Sequence, residues 1–297
     1  MLLALAAIWG SSYLFIKIGV DDGLSPSFIS FARLVLGALV LVPIAARSGA
    51  LRGLRGNGRT VAFLGLVQTA GPFFLIALGE RWISSSLAGI LVASAPIFIA
   101  LLALWLDRAE RSAGLQLVGI GTGIAGVTLL LGVDVGTGGL ELVGALLVLV
   151  ASLAYAVGAL ALKRRLGSAQ PVAMAAGAVS AGAAYLLVPA LATFPTAAPS
   201  VGAIAALIGL GVGGTGVAFL LYFTLIAQVG PARASVVAYL APGFAVLYGV
   251  TLRDETVTAW TLVGLALGLG GSWLASRPRN AQRRTRLVPA ALRGGAR

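Results

Sequence analysis

The chain has 297 residues, of which 59% are hydrophobic and only 10% charged, with a formal net charge of +12. A soluble globular domain carries about 25% charged residues, so a water-solvated fold is excluded, and lipid is the solvent that accounts for the run from Leu166 to Ala232, which holds no Asp, Glu, Lys or Arg. The absence of cysteine and histidine excludes disulfide frameworks, thiolate metal sites and imidazole acid–base chemistry.

About 20 apolar residues in a helix cross a hydrocarbon core of about 30 Å. In chain order the predicted spans are Leu2–Val20, Pro26–Ala46, Thr60–Gly79, Ser84–Leu106, Ala113–Leu131, Leu142–Leu162, Pro171–Phe194, Val201–Ala227, Ala234–Leu252 and Thr258–Ala275. Helix is the only conformation that satisfies the backbone of such stretches in lipid. The first span has no basic region before it and no cleavage pattern, so it is expected to be a retained membrane helix; an N-terminus a few residues further upstream is compatible with this. The eighth is over-long and is expected to tilt or to project past one surface. Small residues at Gly119/Gly123 and Gly264/Gly268 suit close approach of helix backbones.

Basic residues set the orientation. With the N-terminus in the cytoplasm, the inner loops receive Arg47, Arg52, Arg55 and Arg59, then Lys163, Arg164 and Arg165, then Arg233, and the tail adds seven arginines from Arg277 to Arg297. The outer loops receive mostly acids: Asp21, Asp22, Glu80, Asp134, Glu141, Asp254 and Glu255. The tail is therefore expected to be a disordered cytoplasmic flank near anionic lipid headgroups. A nucleic-acid partner is not expected, because no folded module or interleaved aromatics accompany the charge.

The second half repeats the first at an offset of 145 to 146 residues. "AIWGSSYLFIK" faces "LAYAVGALALK", pairing Trp9 with Tyr155 and Lys17 with Lys163; Pro26 faces Pro171, and "ASAPIF" faces "YLAPGF", pairing Pro96 with Pro242. The match is weakest in the third and eighth spans. Five crossings per repeat turn the second copy upside down, and the charge rule places Lys17 outside and Lys163 inside, as inversion requires. The expected fold class is therefore an all-α polytopic membrane protein: ten transmembrane helices in two inverted five-helix repeats, residues 1–133 and 140–276, followed by the tail 277–297, with both termini cytoplasmic. Such a chain reads as a carrier with two alternately open ends.

The stretch "AIWGSSYLFIKIGVDDGLSPSFISFARLVLGALVLVP", the "LAGILVASAP" and "ASVVAYLAPGFAVLYG" helices, and the acidic turn "DRAERS" followed by a Gly-rich helix resemble the EamA-type branch of the drug/metabolite transporter superfamily. The resemblance covers nearly the whole chain. It implies ten helices with cytoplasmic termini, a bacterial inner-membrane setting, and efflux of small metabolites such as amino acids or drug-like compounds. In one place the chain departs from the pattern: where the second repeat of the family often has a Gly-Glu-Arg turn after its ninth helix, this chain has Arg253-Asp254-Glu255.

Candidate cavity residues follow from polarity at depth. Trp9, Tyr13 and Lys17 fall on one helix face. Trp9 lies near mid-span, where its indole N–H needs a partner, so it either lines a cavity or packs between helices, and Tyr155 has the same two readings. Lys17 reads as an interfacial anchor paired with Asp21. Arg33 lies seven residues past Pro26, about 10 Å along its helix, where a cation facing lipid is costly; it either serves a ligand, snorkels toward the outer surface, or pairs with Asp21 or Asp22. The resemblance also places an arginine here. Pro96 and Pro242 predict matched helix kinks at mid-depth. Gln68, Thr69, Ser94, Tyr222 and Tyr239 are polar enough to serve a cavity, or to make helix–helix hydrogen bonds. Two GxGxxG patterns, at Gly121/Gly123/Gly126 and Gly211/Gly213/Gly216, lie inside membrane spans and read as packing, not nucleotide binding.

No span interior contains Asp or Glu, and Glu80 falls at the end of the third span. Facilitated diffusion or exchange, or coupling through an unrecognised group, is therefore expected. The chain is expected not to be an enzyme, and no cofactor or metal is expected. A membrane-embedded lipid-modifying enzyme would need clustered acids or a nucleophile–base pair, and Ser12 and Lys17, five residues apart, do not face as a dyad. A non-transporting scaffold or sensor would need a partner-binding segment, and no loop is long enough. The partners are a small-molecule substrate and the bilayer; the sequence fixes no oligomeric state, and a monomer is compatible with it.

Overall fold

The structure, a computed structural model, describes residues 1–106, 114–133, 139–165 and 170–276. The acidic turn after Leu106, the centre of the loop between Gly132 and Gly139, and the basic tail lie outside the described residues. Among the described residues there is no strand. The helices are α1 (Leu2–Asp21), α2 (Pro26–Arg47), α3 (Gly58–Gly79), α4 (Ser85–Val92), α5 (Ala95–Leu106), α6 (Leu115–Val133), α7 (Gly139–Arg165), α8 (Pro171–Ala192), α9 (Val201–Val229), α10 (Val237–Arg253) and α11 (Ala259–Ala275). Helix occupies every predicted apolar span. Eight segments have the length and hydropathy to cross a membrane, with α4 and the start of α5 counted as one (Ser85–Leu102); α10 and α11 are shorter apolar helices of 17 residues each. Leu39, Val188, Leu191, Val201 and Trp260 are each at least 59% exposed on the outside of the bundle, an apolar surface suited to lipid and not to water.

Local chemistry sets where several helices begin. Ser25, Ser84 and Ser200 each accept a hydrogen bond from the backbone N–H three residues on, at 3.1, 3.2 and 3.1 Å. Pro26 and Pro171 stand at the first helical position, where a missing N–H costs nothing. Thr258 and Thr261 form a reciprocal capping box.

Contacts between helices follow a pattern. In the two halves α2 pairs with α8, α6 with α11, and α4 with α10; α1 packs on α10 as α7 packs on α4 and α5; α2 packs on the middle of α9 as α8 packs on the middle of α3. Every pairing named has a counterpart five spans along, or is its own counterpart. The α6–α11 pair meets through glycine. A Cβ on Gly119 would lie 2.7 Å from the Gly271 carbonyl oxygen, and one on Gly126 would lie 2.7 Å from the Gly268 nitrogen. The expected glycines do lie at this contact, but they do not face each other: Gly119 and Gly123 of α6 face Gly271, and Gly264 and Gly268 of α11 face Gly126. Gly121, in one of the GxGxxG patterns, has open space around it.

Two helices widen into π turns at matched positions, Gly65–Ala70 in α3 and Gly209–Val217 in α9, the two spans where the sequence repeat is weakest. The prolines behave unequally. Before Pro96 the helix breaks, and the chain turns through Ala93 and Ser94. Serine hydroxyls from neighbouring helices close the gap: Ser152 donates to the Leu91 carbonyl at 3.2 Å and Ser272 to the Ala93 carbonyl at 3.1 Å. Pro242, by contrast, lies inside an unbroken α10. The break in that half falls earlier, at Ser235 and Val236, so Pro242 sits near the start of its helix. Matched kinks at the two prolines are not what the fold contains.

One end of the bundle is tied by polar contacts. Asp21 pairs with Arg253 and, at 3.6 Å, with Lys17. Asp22 accepts from the Ser200 N–H at 3.0 Å. Thr193 Oγ1 meets Ser25 Oγ at 2.7 Å and Ser27 Oγ at 3.0 Å. Glu255 clamps the start of α4: Oε1 accepts from the N–H and hydroxyl of Ser85 at 2.9 and 2.7 Å, and Oε2 from those of Ser86 at 2.9 and 2.5 Å. The clamp leaves no room for a Cβ at Gly249.

Two predictions follow from this packing. Gly271→Ala forces the α6–α11 backbones apart and should destabilise the protein by about 1–3 kcal/mol, whereas Gly121→Ala should be neutral; melting midpoints in detergent compare them. For Glu255, burial raises the carboxyl pKa, but the bonds from Ser86 and Ser85 outweigh it and leave the value below the usual 4.5. A depressed folded value stabilises above the unfolded value and is lost as pH falls. Glu255→Gln should therefore cost about 1–2 kcal/mol at neutral pH, and the gap from wild type should close as pH drops through 4.5.

Candidate functional site

Arg33 lies in α2, between the two halves of the bundle, and is 6% exposed. Its Nε donates to Thr215 Oγ1 at 2.9 Å, and its guanidinium carbon stands 3.7 Å from the centre of the Phe73 ring. Cation–π contact and hydrogen bond together hold the plane of the group. Thr215 is in turn fixed by donating to the Leu210 carbonyl at 3.2 Å, within the π turn of α9. The expected partners of Arg33 are committed elsewhere, Asp21 to Lys17 and Arg253 and Asp22 to Ser200. Among the described residues no carboxylate lies within 4.0 Å of Arg33, and its two Nη groups have no hydrogen-bond partner.

Tyr13 and Tyr155 flank this cation within electrostatic reach of it and of each other. Both are half-buried. The Tyr13 ring lies against Gly89 of α4, and Gln68 lies on Gly158 of α7 with its Nε2 donating to the Tyr155 carbonyl at 3.2 Å. Tyr13, Arg33, Gln68 and Tyr155 thus form one group at the meeting of α1, α2, α3 and α7.

The other candidates lie apart from it. Trp9 and Tyr222 form their own aromatic pair, centroids 5.2 Å apart, among α1, α9 and α10. Tyr239 bonds Ser276 Oγ at 2.8 Å and the Ser272 carbonyl at 3.3 Å, tying α10 to α11. Ser94 donates to the Leu91 carbonyl at 2.7 Å and lines a cavity of about 10 Å³ among α4, α5, α6 and α11, room for a single water. Pro96 and Pro242 shape backbone and present no polar atom. Thr69 donates to the Gly65 and Ala178 carbonyls at 2.6 and 3.1 Å, as a helix–helix bond.

Sequence reasoning missed Thr215 and Phe73. Thr215 was legible: it stands 146 residues after Thr69 and is the one hydroxyl in a glycine run. Phe73 was not, because nothing local marks one phenylalanine in an apolar helix as the ring beneath a cation.

The apolar exterior, the helices of membrane length and the buried cation among them fit a multi-pass membrane transporter, and comparison with known proteins agrees. The EamA-like transporter family matches residues 1–132 and again 142–277, and the chain belongs to that family. It is 32% identical to the uncharacterized inner membrane transporter YedA of Escherichia coli K12, over 90% of this chain and 86% of that one. It is 27% identical to a protein of Streptantibioticus cattleyicolor described as a "probable terminal-alkyne amino-acid exporter", over 95% and 94%. It is 24% identical to the transporter YoaV of Bacillus subtilis, over 90% and 92%. A crystal structure 22% identical in sequence shares the fold, with a TM-score of 0.66 over 93% of this chain and 95% of the other.

Proposed function

We propose that this transporter is a ten-crossing carrier that exports small carboxylate-bearing metabolites, amino acids among them, across the cytoplasmic membrane. The observation that carries the reading is Arg33: a buried cation with its plane held by Phe73 and Thr215, both Nη groups unpaired, and no counter-carboxylate among the described residues. An arginine so held recognises a planar carboxylate by two parallel hydrogen bonds, and a substrate supplies the charge that the protein does not. Tyr13, Gln68 and Tyr155 border the same space and orient the rest of the molecule. The two family matches and the paired helix contacts support two inverted five-helix repeats, 1–133 and 140–276, rocking against each other around this site. The inner membrane setting and the direction of transport rest on the descriptions of two relatives, the E. coli inner membrane transporter and the S. cattleyicolor exporter. Among the described residues no cluster of acids that could hold a metal favours the lipid-modifying enzyme.

The chain has no cysteine, so single cysteines report topology cleanly. Cysteines at positions 17 and 163 should label from opposite sides of the membrane; labelling from one side would remove the inverted-repeat reading.

Purified protein in proteoliposomes should move amino acids from a labelled mixture. Arg33→Ala should cut the flux by at least tenfold, since a bond to a charged group is worth about 1.5–3 kcal/mol, and Arg33→Lys should recover part of it. Tyr13→Ala and Tyr155→Ala should reduce flux with normal membrane insertion. Unchanged uptake by all three alanine variants would refute the site.

A further inference from the structure

Glu80 has no part in the site described so far. It follows the last residue of α3, at a helix end where a carboxylate ordinarily meets water. Here it is 0% exposed, and neither carboxylate oxygen has a hydrogen-bond partner among the described residues. Helix packing is the cause. A Cβ on Gly79 would lie 2.7 Å from the Gly144 carbonyl oxygen, and one on Gly144 would lie 2.7 Å from that of Gly79, so α3 ends pressed against α7. The turn that follows is tight: the Glu80 N–H bonds the Ile76 carbonyl at 2.9 Å, and those of Trp82 and Ile83 bond the Gly79 carbonyl at 3.0 and 3.2 Å. It buries Glu80 and leaves Arg81 exposed.

The charges around Glu80 do not neutralise it. Lys17 of α1 reaches the residue, but its Nζ donates to the backbone carbonyl at 2.8 Å and its charge is shared with Asp21. Asp21 of α1 and Glu255 beyond α10 face the carboxyl as like charges, and Arg33 of α2 faces it as an opposite one. Tyr13 of α1 lies within electrostatic reach. From α7, Tyr155 is the one ionisable side chain between Glu141 and Lys163, and α4 begins with serines that serve Glu255. Glu80 is thus a carboxyl without a donor, fully buried at the end of the bundle that carries the tie between Asp21 and Arg253. An ionised carboxylate in such a place is among the costliest groups a protein can bury, and a proton is the ligand that removes the cost. Burial pushes the group well above its usual 4.5, and Lys17 pulls it only partly back.

We propose that Glu80 is a proton-binding site, occupied while the Asp21–Arg253 end is closed and emptied to water when that end opens. The step is a simple acid–base exchange: a proton from water joins the carboxylate to give the neutral acid and returns to water on opening. On the carrier reading, on which this consequence rests, that proton is the coupling ion. Coupling through a group unrecognised in the sequence then replaces plain facilitated diffusion.

The test is a pH series of infrared spectra on the protein in lipid vesicles, with its four glutamates carrying ¹³C carboxyl groups. One labelled carboxyl should hold its proton at least tenfold more tightly than an ordinary glutamate. Its C=O band should vanish in Glu80→Gln; in Glu80→Asp, where position 80 no longer carries the label, an unlabelled band at higher wavenumber should replace it with the same tight proton binding, so that variant also serves if the glutamine variant does not fold. Four glutamates titrating in the ordinary range, or a tight-binding band untouched by Glu80→Gln, would overturn the proposal. Stability gives an independent sign. A carboxyl whose folded value is raised loses stability as pH climbs from the unfolded value towards the folded one. Wild type should therefore lose melting temperature relative to Glu80→Gln over that range, and a constant difference would count against the site. Once flux is established, an imposed proton gradient should accelerate wild type and not Glu80→Gln; equal acceleration would remove the coupling role. Absence of any wild-type flux would defeat the carrier reading and leave the infrared result to decide Glu80.

Discussion

Nothing in hydrocarbon donates or accepts a hydrogen bond, and the rest of this structure answers to that constraint. Regular helix satisfies it without help. The fold becomes informative where a helix departs from regularity, because the freed backbone groups must then find a partner inside the bundle. At the break before Pro96 the partners are hydroxyls of Ser152 and Ser272, from α7 and α11. In the wide turn of α3, Thr69 bonds carbonyls of its own helix and of α8. In the wide turn of α9, Thr215 bonds back to Leu210. Each irregularity is therefore also a tie between helices, and helices from different halves meet there.

The two wide turns show how a near-symmetric scaffold acquires a one-sided site. Thr69 and Thr215 are 146 residues apart, and each faces the helix that pairs across the two halves. What they meet differs. Thr69 meets the backbone carbonyl of Ala178, while Thr215 accepts from the side chain of Arg33, which stands 145 residues before Ala178. The geometry is repeated and the charge is not. A small change of side chain at one of two equivalent positions suffices to place a single cation at the interface, with the backbone that holds it already built.

Much of this was legible in the sequence, for physical reasons. Apolar runs of membrane length can only be helix, so the helical spans follow from composition, and the expected starts at Pro26, Ser84, Pro171 and Val201 fall within a residue of the observed ones. Glycine spacing in α6 and α11 announced backbone contact. The proline reading failed in one half because a proline's effect depends on where the helix begins. Pro96 falls at the second residue of α5, after a break, and Pro242 six residues into α10, so equal positions in the repeat are unequal positions in a helix. Of the ten candidate residues, three gathered around a fourth, Arg33, because depth and polarity do not say which polar side chains meet.

Glu80 marks the limit of reading along one helix. Position along the chain put it at the membrane surface, where an acid is unremarkable and hydrated. Burial, however, is set by neighbours across the bundle. The contact that matters joins Gly79 to Gly144, residues 65 apart in sequence, and neither glycine is distinctive in a chain that holds 41 of them. Once those two backbones touch, the turn after α3 has no path to solvent for the next side chain, and α1 lies over it with Lys17 engaged on the main chain. The protein thus holds a cation without an acid in Arg33 and an acid without a donor in Glu80, in one half of the bundle and too far apart to pair. Left ionised, each carries an uncompensated cost that simple salt-bridge formation would have removed. Keeping them separate leaves each free for the ligand proposed for it, an anion at Arg33 and a proton at Glu80, and the two lie within electrostatic reach of each other.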